Sequence, residues 1–129
     1  MYANSDCSTM FQGVYNVRSI DLTYLNLEQV TTMDSMFESN YNLNSIIMPS
    51  STPNLTSMSY TFGSCGNLST LTHNLDTTKV TNFQYTFNGC SYLSMDIVIR
   101  NPNVTNYNSV FSNAATVSGC KITVYYTNE

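Results

Sequence analysis

The chain has 129 residues, room for one domain, with 42% apolar and only 9% charged side chains. Its net charge of −4 and pI near 4.6 exclude a nucleic-acid backbone partner, because Arg18, Lys79, Arg100 and Lys121 are its only Lys and Arg and they are scattered. Ser, Thr and Asn dominate the polar residues, yet the apolar ones recur in register, which a disordered chain would not maintain.

Residues 1–27 carry the first copy of a pattern that occurs five times; the others are 28–52, 53–77, 78–101 and 102–129. Phe11, Phe37, Phe62, Phe87 and Phe111 mark it, 24–26 residues apart, and together form one expected structural core ladder. Six residues before each ring stands Ser5, Thr31, Thr56, Thr81 or Thr105. A period of this size marks a solenoid of 1–129 as a single repeat domain. In the first copy the hydroxyl of Ser5 suits a helix N-cap, Asp6 falls in the first turn of that helix, and Gly13 stands where the helix must stop. Asp21 to Leu27 then alternates as a half-buried strand does.

In the second copy Met33, Met36 and Phe37 fall at i, i+3 and i+4, helical spacing for about two turns. Asp34 again suits the first helical turn, and Ile46-Ile47-Met48 reads as a strand. Pro49 and Pro53 bracket a polar stretch that reads as a loop. The third and fourth copies match best: Thr81 and Gln84 are spaced for a capping box, and Gly63 and Gly89 follow their rings. After Pro102 the fifth copy ends in an alternating stretch, residues 121–126, read as a final strand on the sheet edge. The fold class expected is therefore α/β: a solenoid of about five coils, with short parallel strands on one side and short helices on the other. Neighbouring coils cover one another because no unit of this size buries its apolar side alone.

Chemistry-bearing residues are few. Cys65 and Cys90 share one position in adjacent copies, so two readings stand: a disulfide, or two buried thiols packing as small apolar groups. No Cys-x-x-Cys pair or His cluster supports a metal, and no cofactor motif occurs. His73 with Asp76 lacks a placed nucleophile and reads as a solvated loop histidine, so no catalytic residue is assigned. Tyr60 and Tyr85 share the position two before the ring and point off the apolar face; they serve either recognition or stacking for stability alone. Asn54, Asn67 and Asn103 open glycosylation sequons, which chance supplies in so Asn- and Thr-rich a chain. No run reaches the length of a membrane span, so direct membrane insertion is not expected. The N-terminus lacks a charged region followed by an apolar one, so no signal peptide is read. Either the protein stays where it is made or the chain is part of a longer or processed one.

Val80-Thr81-Asn82-Phe83-Gln84-Tyr85-Thr86-Phe87-Asn88-Gly89-Cys90-Ser91-Tyr92-Leu93, with Met36-Phe37, resembles the 26-residue repeat of bacterial surface proteins, grouped with the BspA-like leucine-rich repeats. The resemblance spans nearly the whole chain. It implies a leucine-rich-repeat-like solenoid with a binding or adhesion role, at the cell surface or outside the cell; together with the Tyr60 and Tyr85 pair it motivates the leading reading, a non-enzymatic interaction module that binds protein or glycan. The usual Leu-Asp-Leu strand is eroded here, for example to Met95-Asp96-Ile97. A second reading is a structural or assembly protein associating end to end through the strand edges that an uncapped solenoid exposes, or a fragment of a longer repeat protein.

Overall fold

The computed structural model describes residues 1–127 and is a β-solenoid of about four turns. Its strands are β1 (Ser19–Asp21), β2 (Ser45–Ser51), β3 (Thr70–Asn74), β4 (Met95–Ile99) and β5 (Ile122–Tyr126). All pair in parallel, as a three-stranded sheet β1-β2-β3 and a two-stranded sheet β4-β5, joined by a single bridge between Thr70 and Ser94. The repeat, the parallel strands and the ring ladder are present. The helices are not: the α/β expectation is overturned, since no described residue is helical.

The second side of each coil is a chain of four-residue turns. In the second copy the amide of Met36 donates to the Met33 carbonyl (3.0 Å) and that of Glu38 to the Ser35 carbonyl (3.2 Å). The third copy repeats this at Thr61 and Gly63, and the fourth at Thr86 and Asn88. A helix would send every amide back within its own segment. Here every second amide leaves the coil: Met33, Ser35, Phe37 and Ser39 donate to Ser57, Ser59, Thr61 and Gly63 at 2.8–3.0 Å. A turn of type II needs a positive φ at its third residue, the position Ser35 holds in the Met33–Met36 turn. Positive φ is found in all five copies, at Thr9, Ser35, Tyr60, Tyr85 and Ser109 (φ 52–60°), and again four residues on at Gly13, Ser39, Ser64, Gly89 and Asn113 (φ 57–79°). Gly13 and Gly89 are thus turn residues rather than helix stops.

The hydroxyls expected to cap helices form a ladder between coils instead. The Thr31 hydroxyl donates to the Ser5 carbonyl (3.2 Å), Thr56 to Thr31 (3.0 Å), Thr81 to Thr56 (3.5 Å) and Thr105 to Thr81 (3.3 Å). The next residue starts an Asx or Ser/Thr turn: Asp6, Thr32, Asn82 and Asn106 accept from the amide two residues on. Gln84 closes no capping box; its side-chain oxygen accepts from Asn106 (3.0 Å). Asp34 accepts from the Ser57 hydroxyl and the Ser59 amide (2.6 and 2.9 Å), so it ties two coils together rather than balancing a helix dipole. Pro49 lies inside β2 rather than in a loop, where the pairing with β3 slips between Met48 and Ser51. A residue without an amide is tolerated at such a bulge.

Corner residues of the turns in the central coils face inward. Met58, Thr61, Phe62, Cys65 and Leu68 of the third copy are fully buried, as are Val80, Thr86, Phe87, Cys90 and Leu93 of the fourth. Consecutive rings Phe11, Phe37, Phe62, Phe87 and Phe111 stack with centroids 5.3–5.7 Å apart and planes within 15°. The three central rings are fully buried, and the two terminal ones are half-buried. Among the described residues no buried side-chain nitrogen or oxygen lacks a hydrogen-bond partner. The hydroxyls of Thr61 and Thr86 achieve this by sitting 2.6–2.9 Å from two carbonyls each, Met33 with Met58 and Met58 with Phe83.

Candidate functional site

Tyr60 and Tyr85 are brought together. Their rings stack with centroids 4.7 Å apart and planes 8° from parallel, and both residues are half-buried. Each occupies the positive-φ position of its turn, at 56° and 55°. A bulky side chain in that region is uncommon and costs roughly 1 kcal/mol or more. The same position in the flanking coils holds the small residues Thr9, Ser35 and Ser109. The tyrosine pair is therefore a two-ring stack set in a row of short hydroxyl side chains.

A second surface stack was not anticipated. Tyr15 and Tyr41 lie 6.0 Å apart and 4° from parallel, each more than half exposed. The signal was available: both stand four residues after the ring in adjacent copies. Such a stack, with its partners Asn42 to the Tyr15 carbonyl (2.6 Å) and Gln12 to Glu38 (2.9 Å), makes the first two coils rich in cross-coil polar and aromatic contacts.

Cys65 and Cys90 do not form the disulfide left open by the sequence; all four cysteines are free. The Cys65 thiol donates to the Phe37 carbonyl (3.1 Å) and the Cys90 thiol to the Phe62 carbonyl (3.0 Å), one coil back in each case. Asn40 stands at the same position one coil earlier and donates to the carbonyls of Phe11 and Phe37 (2.8 and 2.7 Å) while accepting from the Val14 amide (2.8 Å). Burial pushes the Cys65 thiol up to about 12 and raises Cys90 further still. A thiolate is the reactive form, so both should resist alkylation at pH 8 in the native protein. The half-exposed Cys120 is expected to react first, and Cys7, Cys65 and Cys90 only after unfolding. Intact-mass analysis of iodoacetamide-treated protein, with and without urea, reads this directly; rapid native labelling of Cys65 or Cys90 would contradict it. The sign for stability follows. The protonated thiols are favoured by folding below the ordinary thiol value of 9.0, and that contribution fades as pH rises from about 9 toward 12.

His73 is on β3 rather than in a loop. Its Nδ1 accepts from the Leu75 amide (3.3 Å), which leaves the Nε2 proton to donate to the Asp96 carbonyl (2.9 Å). Asp76 is engaged elsewhere, accepting from the amide and hydroxyl of Thr78 (2.9 and 2.6 Å), and these bonds hold its carboxyl below the usual range. The two residues thus form no pair. Among the described residues no three His, Cys, Asp or Glu side chains group to hold a metal ion, and no helix is long and apolar enough to cross a membrane.

Stacked turns, parallel strands and an internal ring column define the molecule as a β-solenoid repeat protein. Residues 5–124 match the family described as "Mycoplasma protein of unknown function, DUF285", and the chain belongs to that family. No curated protein and no solved structure matches it.

Proposed function

We propose that this protein is a non-enzymatic interaction module that binds protein or glycan at the cell surface or outside the cell. The observation that carries the reading is the Tyr60–Tyr85 stack, held half-exposed at a strained backbone position in both coils. The positive φ recurs in all five copies; what sets this place apart is that bulky aromatic side chains occupy it in two adjacent coils, where the other three carry Thr9, Ser35 and Ser109. Parallel rings with phenolic hydroxyls supply rigid, amphipathic contact area at small entropic cost. The resemblance of residues 80–93 to the bacterial surface-protein repeat supports the same placement.

The test is a glycan array and a panel of immobilised extracellular-matrix proteins, probed with the native chain and with a Tyr60→Ala/Tyr85→Ala double variant. Truncating a central aromatic pair is expected to cost about 2 kcal/mol of binding, roughly a 30-fold rise in Kd for whichever probe binds. Equal affinity of the two proteins would remove this face from the account.

A further inference from the structure

One hydrogen-bond pattern joins every pair of coils, and it has a direction. Four alternate amides of each coil donate forward: Cys7, Thr9, Phe11 and Gly13 to Thr32, Asp34, Met36 and Glu38, and likewise at each later interface up to Phe83, Tyr85, Phe87 and Gly89, which donate to Asn106, Asn108, Val110 and Ser112. Other bonds run in return: the amides of Thr56 and Ser57 reach the Thr31 carbonyl, and those of Ser69 and Thr70 the Asn44 carbonyl. The two ends of the stack are therefore opposite in character. Among the described residues, the amides of Tyr107, Ser109, Phe111 and Asn113 and the carbonyl of Thr105 have no partner at one end. At the other end the carbonyls of Asp6, Ser8, Met10 and Gln12 and the amides of Ser5 and Asp6 have none.

We propose that these two ends are the halves of one further interface, so that a second copy of this chain seats head to tail on the first. Every donor left open at the last coil meets an acceptor left open at the first, in the register already used four times within the molecule. The apolar surfaces agree as well. The last coil carries a depression of about 430 Å³ lined by Phe83, Val104, Tyr107, Val110, Phe111 and Tyr126. The first coil presents Ala3, Met10, Phe11, Leu22 and Leu25 around a depression of about 480 Å³. Phe111 of one copy stacks on Phe11 of the next, prolonging the ring column at the spacing it keeps inside. The free edge of β5, an uncharged Ile-Thr-Val-Tyr-Tyr strand, pairs with the free edge of β1. Because the contact joins unlike surfaces without closing, it generates linear filaments. This inference is independent of the lateral tyrosine face.

Light scattering over a thousandfold range of protein concentration tests it. The native chain is expected to rise above 14.4 kDa toward dimers and longer species as concentration increases. Met10→Lys at the first coil and Tyr107→Lys at the last, both at exposed residues, should each remain monomeric. Their equimolar mixture should give a dimer and nothing larger, since each supplies the one intact end the other lacks. Tyr41→Lys, on the lateral face, should associate like the native chain. If circular dichroism shows either end variant unfolded, Tyr2→Lys and Tyr126→Lys take their place. A native chain that stays at 14.4 kDa throughout, end variants that associate as the native chain does, or a mixture that yields no dimer would overturn the proposal.

Discussion

Phe62→Ala is expected to destabilise the protein by about 3–5 kcal/mol, the cost of a cavity where a fully buried ring stood. Phe62 is the middle of five rings, 5.4 Å from Phe37 and 5.3 Å from Phe87, and both neighbours lose a stacking face when it is removed. In a repeat protein stability is close to a sum of coil and interface contributions, so damage at the centre weakens two interfaces at once. Against a total of about 5–15 kcal/mol for a domain this size, such a loss is large. Phe111→Ala, at a half-buried ring with one stacking partner, should cost less than half as much. Urea unfolding of the two variants measures the difference. Equal, small losses at both positions would mean that the column does not hold the coils together.

Asn40→Leu is expected to cost about 2–4 kcal/mol although it puts an apolar side chain into an apolar interior. Asn40 is fully buried and satisfies the Val14 amide and the carbonyls of Phe11 and Phe37. Leucine fills similar space but leaves the Val14 amide and the Phe11 carbonyl without the partner that Asn40 supplies, and desolvating such groups is costly. Cys90→Ala, at the same position two coils later, should be milder, near 1 kcal/mol, because only one thiol bond is lost. Hydrogen exchange at the Val14 amide provides a local readout: its protection should collapse in Asn40→Leu before global stability does. A leucine variant as stable as the native chain would show that the Asn40 contacts contribute little.

The repeat, its period and the inward column of five rings were legible because they rest on spacing alone. The helices were misread for a definable reason. Chained four-residue turns bury their corner residues at intervals of three and four, so Met33, Met36 and Phe37 sit one above another much as they would on a helix face. The discriminating signal lay between them, in the third turn residue, where Ser35, Ser39, Ser64 and Asn113 join Gly13 and Gly89 in a left-handed conformation. Tyr60 and Tyr85 concealed that signal, because tyrosine is a poor marker of positive φ. The ladder of Thr31, Thr56, Thr81 and Thr105 misled in the same way: a hydroxyl before an apolar run suits a helix cap, and its role as a donor to the coil behind appears only when coils stack. The tyrosine stack itself could be anticipated from shared position, and Tyr15 with Tyr41 by the same argument. The Cys65 and Cys90 alternatives needed geometry, since a thiol donating to a carbonyl one coil back leaves no trace in sequence.

Nuclear Overhauser contacts in a uniformly labelled sample test the solenoid most directly. The structure requires ring-to-ring contacts along Phe37, Phe62 and Phe87, and contacts between the amides of Met33, Ser35 and Phe37 and the residues that accept from them, Ser57, Ser59 and Thr61. Continuous helical amide contacts through residues 31–40, without any link from one ring to the next, would contradict it.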